Sequence, residues 1–144
     1  MAPAAEKSAK GAEDFVRYFW EVYDYSYSTG NVTPLSAISD SDCVFCEDTV
    51  SKVGKLSAAN QRVAGAHVEV VAAIAPPSDP SKGLIVVTIL NERPSTIVDA
   101  DGVTVKSQQG FRNMKSEIAI IWRDSQWIVR DLANNEKSGQ PWTS

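Results

Sequence analysis

The chain is poor in the side chains that most enzymes use. Its 144 residues include one histidine, His67, and two cysteines, Cys43 and Cys46. A structural zinc site needs four ligands, and one distant histidine cannot complete a set with one cysteine pair, so no metal is expected. A lone histidine also weighs against a serine or cysteine triad, and there is no Gly-x-Ser-x-Gly elbow. No glycine loop of the phosphate-cradling kind is present, and no cofactor is expected. No stretch approaches 18 consecutive apolar residues, so nothing reads as a bilayer-spanning helix. Basic blocks are missing too. With a net charge of −4 and a pI near 4.9, neither nucleic acid nor an anionic membrane surface is an expected partner.

What the chain does have is a close cysteine pair, Cys43-Val44-Phe45-Cys46. A structural disulfide is the expectation, which implies an oxidising compartment. A thioredoxin-type redox pair would follow a strand in a βαβ unit, whereas a helix and a turn precede this one. Reduced, buried thiols are the other alternative. Met1 to Lys10 has no apolar h-region and reads as a small-residue linker, not a signal peptide. The linker fits either a frayed cytosolic N-terminus or a domain trimmed behind an export signal, and the cysteine pair favours the second. The length suits one domain: a linker over 1–10, a domain over 11–132 and a polar tail over 133–144.

Apolar spacing predicts a first helix from about Gly11 to Ser28, stopped by Gly30. Val16, Trp20, Tyr23 and Tyr27 share a narrow arc, which Phe15, Phe19 and Val22 widen. Glu13, Arg17, Glu21 and Asp24 lie opposite, with Glu13 and Asp14 assigned to the first turn. A short helix, Pro34 to Ile38, follows with Thr33 as its cap. A third helix carries Cys43 and Cys46 and runs to about Arg62, weakened by Gly54. Strands follow at Val68 to Ala75, Leu84 to Glu92, Ser95 to Asp99, Val103 to Ser107, Lys115 to Arg123 and Trp127 to Leu132. Asp99-Ala100-Asp101-Gly102 and Asp124-Ser125-Gln126 are hairpin signals. Helices first and hairpins after predict an α+β fold, with N-terminal helices packed on a curved antiparallel sheet.

That order resembles the cone fold of the nuclear transport factor 2, SnoaL and ketosteroid isomerase superfamily. The closing hairpin Trp122 to Asp131 looks like its last two strands. More narrowly, Phe15 to Trp20, Tyr23 to Tyr27, Ser28-Thr29-Gly30-Asn31 and the Cys43–Cys46 segment resemble an uncharacterised family of actinobacterial secreted lipoproteins, a domain of unknown function. The resemblance implies a fold and an extracytoplasmic, cell-envelope address, with membrane attachment only through a lipid anchor outside these residues. It implies no known activity.

The aromatic stripe of the first helix has two readings. It packs the helix on the sheet, or its inner part joins Trp122 in lining a cone cavity, giving Trp20, Tyr23, Tyr27 and Trp122 as a candidate ligand site. Buried tyrosine hydroxyls need partners, which suits an amphipathic ligand. Isomerase-like chemistry would need a carboxylate inside that cavity, and none is placed there, since Glu21 and Asp24 point off the aromatic arc. His67 reads as a half-exposed strand residue. The leading expectation is a non-catalytic envelope domain that binds a small apolar ligand or a protein partner. Isomerase- or hydrolase-type chemistry in the pocket is the first alternative. A module that dimerises through the outer face of the sheet, where Leu84 to Leu90 is apolar on both sides, is the second.

Overall fold

The computed structural model describes residues 5–65 and 67–142. The first helix, α1, spans Ala9–Thr29. It begins earlier than the apolar spacing predicts because Ser8 caps it, its hydroxyl accepting the Gly11 N–H. Glu13 and Asp14 therefore fall beyond the first turn. Gly30, at φ 80°, ends the helix in the left-handed conformation that glycine adopts freely. Helix α2, Thr33–Ala37, includes Thr33 in its first turn rather than using it as a cap, and Asn31 Oδ1 accepts the Thr33 N–H. Helix α3 spans Val44–Ala58, with Cys43 as its N-cap. It stops short of Arg62 because Asn60 turns the chain at φ 56° and Arg62 already belongs to a strand.

Among the described residues eight strands follow: β1 Arg62–Ala64, β2 Val68–Ile74, β3 Leu84–Glu92, β4 Ser95–Val98, β5 Thr104–Gln108, β6 Phe111–Arg123, β7 Gln126–Asn135 and β8 Gln140–Pro141. They form two antiparallel sheets instead of one. The larger has the order β2-β3-β6-β7, with β8 beside the start of β6; the smaller has the order β1-β4-β5. The chain passes from one sheet to the other at Arg93-Pro94. Gly110 sits against this corner, where a Cβ would collide with the Glu92 carbonyl oxygen and lie 2.7 Å from Arg93 and Pro94 backbone atoms.

Both ends of the domain reach further than the composition suggests. Past Ala133, strand β7 continues to Asn135, a short 3-10 turn covers Glu136–Ser138, and β8 pairs with Phe111 and Arg112. Arg112 lies over the Trp142 ring at 4.3 Å. Residues 133–142 are therefore not a free polar tail. Most of their polar side chains are exposed, while the Ser138 hydroxyl accepts the Lys115 N–H. Within the expected linker, the Glu6 carbonyl accepts the Trp127 indole N–H at 2.9 Å, and residues 1–4 lie outside the described residues.

The core lies between α1 and the inner face of the larger sheet. Phe15, Val16, Phe19 and Trp20 pack there with Leu35, Val86, Leu90, Ile118, Ile120, Trp127 and Val129. Strand β3 alternates as a two-faced strand does: Leu84, Val86, Thr88 and Leu90 point in, while Ile85 is 54% exposed on the outer face. The side of α1 opposite the aromatic arc docks on the sheet edge. Asp24 Oδ2 accepts the Val68 N–H, Arg17 donates to the Val70 carbonyl and Glu13 Oε2 accepts the Ala75 N–H. These residues run antiparallel to β2, an edge strand, and satisfy backbone groups that an edge leaves open.

Candidate functional site

A cleft of about 580 Å³ opens where the last turns of α1 and α3 face the smaller sheet. Tyr23 and Tyr27 project into it from α1, four residues apart and so on one face. Lys52, Lys55 and Leu56 share a face of α3 by the same spacing. Val63, Ser95, Ile97 and Gln108 come from β1, β4 and β5, and Glu92 and Arg93 from the corner between the sheets.

The aromatic rings form a continuous stack leading out of the core. Trp20 meets Tyr23 edge-on at 5.0 Å, Tyr23 lies nearly parallel to Phe45 at 6.0 Å, and Tyr27 meets Tyr23 at 5.1 Å. Tyr23 and Tyr27 thus line the cleft. Trp20, only 3% exposed, supports Tyr23 from behind and does not line it. Trp122 is elsewhere, packed edge-on against Trp127 at 5.2 Å. Trp127 in turn bonds to Glu6, before α1 begins, and Tyr27 lies 21 residues further along. At 1.5 Å per residue the helical stretch from Ala9 to Tyr27 alone spans about 27 Å, so Trp122 and Tyr27 cannot share a small-molecule site.

Burial raises several acids around the cleft. Glu92, the cleft carboxylate, is pushed up to about 7, first by burial and then by the charge of Asp24. Asp24 is pushed up to about 6 by burial, partly offset by the Val68 N–H and by His67. Val68 pairs with Glu92 across β2 and β3, which brings the two carboxylates into one neighbourhood. Asp24 Oδ1 is buried with no partner among the described residues. The Tyr23 hydroxyl is pushed well above the usual phenol range by burial, and that of Tyr27 is raised by burial against the opposing pull of Lys52. His67 is exposed, and its Nδ1 lies 3.9 Å from Asp24 Oδ2; it does not line the cleft.

The other chemistry-bearing residues resolve simply. Cys43 and Cys46 are disulfide-bonded and buried in the core, which sets aside the free-thiol reading. Among the described residues, no three His, Cys, Asp or Glu side chains group as metal ligands, and no helix is long and apolar enough to cross a membrane. A disulfide fits a compartment that keeps cysteines oxidised, such as the envelope side of a cell.

Sequence reasoning missed Glu92, Lys52, Lys55 and Arg93. Glu92 carries the one available signal, a carboxylate ending an otherwise apolar strand just before Arg93-Pro94. Lys52 and Lys55 look like an ordinary solvated helix face.

No curated protein matches the chain. Among solved structures, the intermembrane-space region of the chloroplast protein ARC6 is similar in fold, with a TM-score of 0.62 over 88% of this chain and 95% of that one, at 10% sequence identity. Sequence places the chain more closely: a family profile matches residues 2–133, and the protein belongs to that family, described as a family of unknown function, DUF6318.

Proposed function

We propose that this protein is a non-catalytic, envelope-side domain that holds a small amphipathic molecule in the cleft between α1, α3 and the smaller sheet. The observation that carries this reading is the cleft itself. Its volume is in the range of small-molecule sites, and it sets apolar Leu56, Val63 and Ile97 beside two tyrosines and several charged or amide side chains. The interior between α1 and the larger sheet is filled by Phe19, Trp20 and their neighbours, so the ligand sits beside the core and not inside a cone. The disulfide supports an oxidising address. Attachment as an actinobacterial secreted lipoprotein belongs to the same reading and rests on the resemblance over residues 11–47. Trp20 lies against Tyr23, so tryptophan fluorescence titration with a panel of lipids and small amphiphiles tests the site. Saturable binding that Tyr27→Ala weakens at least tenfold is expected. No saturable response from any of them would sink the proposal.

One observation favours a second reading, isomerase- or hydrolase-type chemistry. Glu92 is a desolvated carboxylate poised near neutrality beside two tyrosine hydroxyls, a combination suited to a general base. Its test is turnover of any bound ligand that Glu92→Gln abolishes while binding persists. The outer face of the larger sheet, with Ile74 60% and Ile85 54% exposed, is what supports pairing between copies, and light scattering across a concentration series decides that point.

A further inference from the structure

We infer that the cleft selects an anionic amphiphile, a compact molecule with one acidic group on an apolar body. This rests on the ligand-binding reading above and specifies the class of ligand. The chain as a whole carries 14 Lys and Arg against 18 Asp and Glu, yet the cleft reverses that balance, with Lys52, Lys55 and Arg93 against Glu92 alone. Lys52 is already engaged by Asp48 at 2.9 Å. Neither Lys55 nor Arg93 has a carboxylate within 4.0 Å among the described residues, so these two are the cations left for a ligand.

Their placement gives the ligand its shape. Lys55 stands near the end of α3, next to Leu56, and Arg93 stands at the corner before Ser95 and Ile97. An acidic group between the two cations leaves its apolar body against Leu56, Val63, Ile97 and the Tyr27 ring. Arg93 offers a planar fork suited to carboxylate, sulfonate or phosphate oxygens, and the half-sheltered cleft strengthens the pairing relative to open water. A cationic ligand would meet three like charges. A long polyanion would be repelled by a molecule of net charge −4, so the ligand is compact.

Two probes with the same anilinonaphthalene body separate charge from apolar burial. One is 8-anilinonaphthalene-1-sulfonate, which is anionic, and the other is neutral N-phenyl-1-naphthylamine. Fluorescence titration at low salt should give one saturable site for each, with the sulfonate at least tenfold tighter. The Lys55→Gln/Arg93→Gln double variant should erase most of that preference by weakening the sulfonate far more than the neutral probe. Its fold is checked by circular dichroism, and Lys55→Arg should retain the preference. Chemical shift changes at Leu56, Val63 and Ile97 should locate both probes. Equal affinity for the two probes, or a preference that survives the double variant, overturns the inference and leaves the cleft reading standing, whereas binding that maps away from these residues overturns both. Binding of neither probe overturns both.

Discussion

Replacing Asp24 with asparagine should stabilise this protein at neutral pH, although the carboxylate makes a hydrogen bond that ties α1 to β2. Asp24 Oδ2 accepts the Val68 N–H at 2.9 Å, and an asparagine oxygen can do the same. What asparagine removes is a charge that burial disfavours. The carboxyl rises from 3.8 to about 6 on folding, even with the Val68 bond and His67 pulling it down. The folded state therefore holds this proton more tightly than the unfolded chain. Stability from this group is fully present below about pH 3.8, falls as pH rises through the window up to about 6, and is level above it. At about 1.4 kcal/mol per pH unit, that window is worth about 3 kcal/mol. The side chain is 16% exposed, and with solvent screening the realised cost is about 1–2 kcal/mol. Asp24→Asn should gain that amount at pH 7.5 and progressively lose the advantage towards pH 4. Urea unfolding at four pH values between 4 and 7.5 measures it. Asp24→Ala is the control: it removes the same charge but strands the Val68 N–H, so it should be less stable than Asp24→Asn by about 1–3 kcal/mol at every pH. If Asp24→Asn is less stable than the parent at pH 7.5, or its advantage is the same at pH 4, the ionised carboxylate is not penalised and the argument fails.

Changing both Cys43 and Cys46 to serine should cost about 2 kcal/mol, because the bond closes a very short loop; an unshifted urea midpoint would contradict a stabilising role. Gly110→Ala should cost about 2 kcal/mol or more by overpacking, since the new methyl meets the backbone of Glu92 to Pro94. By contrast, Gly54→Ala should gain about 0.5–1 kcal/mol in mid-helix, having nothing within 4 Å; thermal melts of the two variants should move in opposite directions. His67→Ala should change stability by no more than about 0.5 kcal/mol and leave cleft binding intact, and loss of probe binding in this variant would show that the site extends to His67.

The elements with strong periodicity were legible in the sequence. Leu84–Glu92 is a strand over those same residues, and the Asp99–Gly102 turn forms for the chemical reason its sequence suggests: Asp99 Oδ1 accepts the Asp101 and Val103 N–H groups while Gly102 takes φ 80°. Strands β1 and β8 were not legible, because three residues in one and a proline in the other give no alternation to read. Pairing with β4 and β6 makes them strands. The disulfide was legible from the isolation of its two cysteines. Of the expected site, Tyr23 and Tyr27 meet in the cleft and Trp20 and Trp122 do not. The cleft draws on α1, α3, both sheets and the corner between them, and no spacing within a single element encodes such a meeting.

Helix α1 explains why one aromatic arc has two fates. At 21 residues it is about 30 Å long. Along its first four turns, Phe15, Val16, Phe19 and Trp20 are covered by the larger sheet and are core. Near its C-terminal end the neighbours change to α3 and the smaller sheet, and Tyr23 and Tyr27, on the same arc, emerge half-buried into the cleft. Hydrophobic periodicity gives the direction of a side chain around a helix axis but not what stands opposite it along the axis. The polar residues show the same rule. Glu13, Arg17 and Asp24 lie opposite the aromatic arc, where periodicity alone names no partner, and they dock on the backbone of β2 because an edge strand runs beside them. Asp24 thus becomes a buried acid, and its charge reaches Glu92 through the β2–β3 pair. The titration of the cleft carboxylate is therefore set in part by how α1 docks on the edge strand.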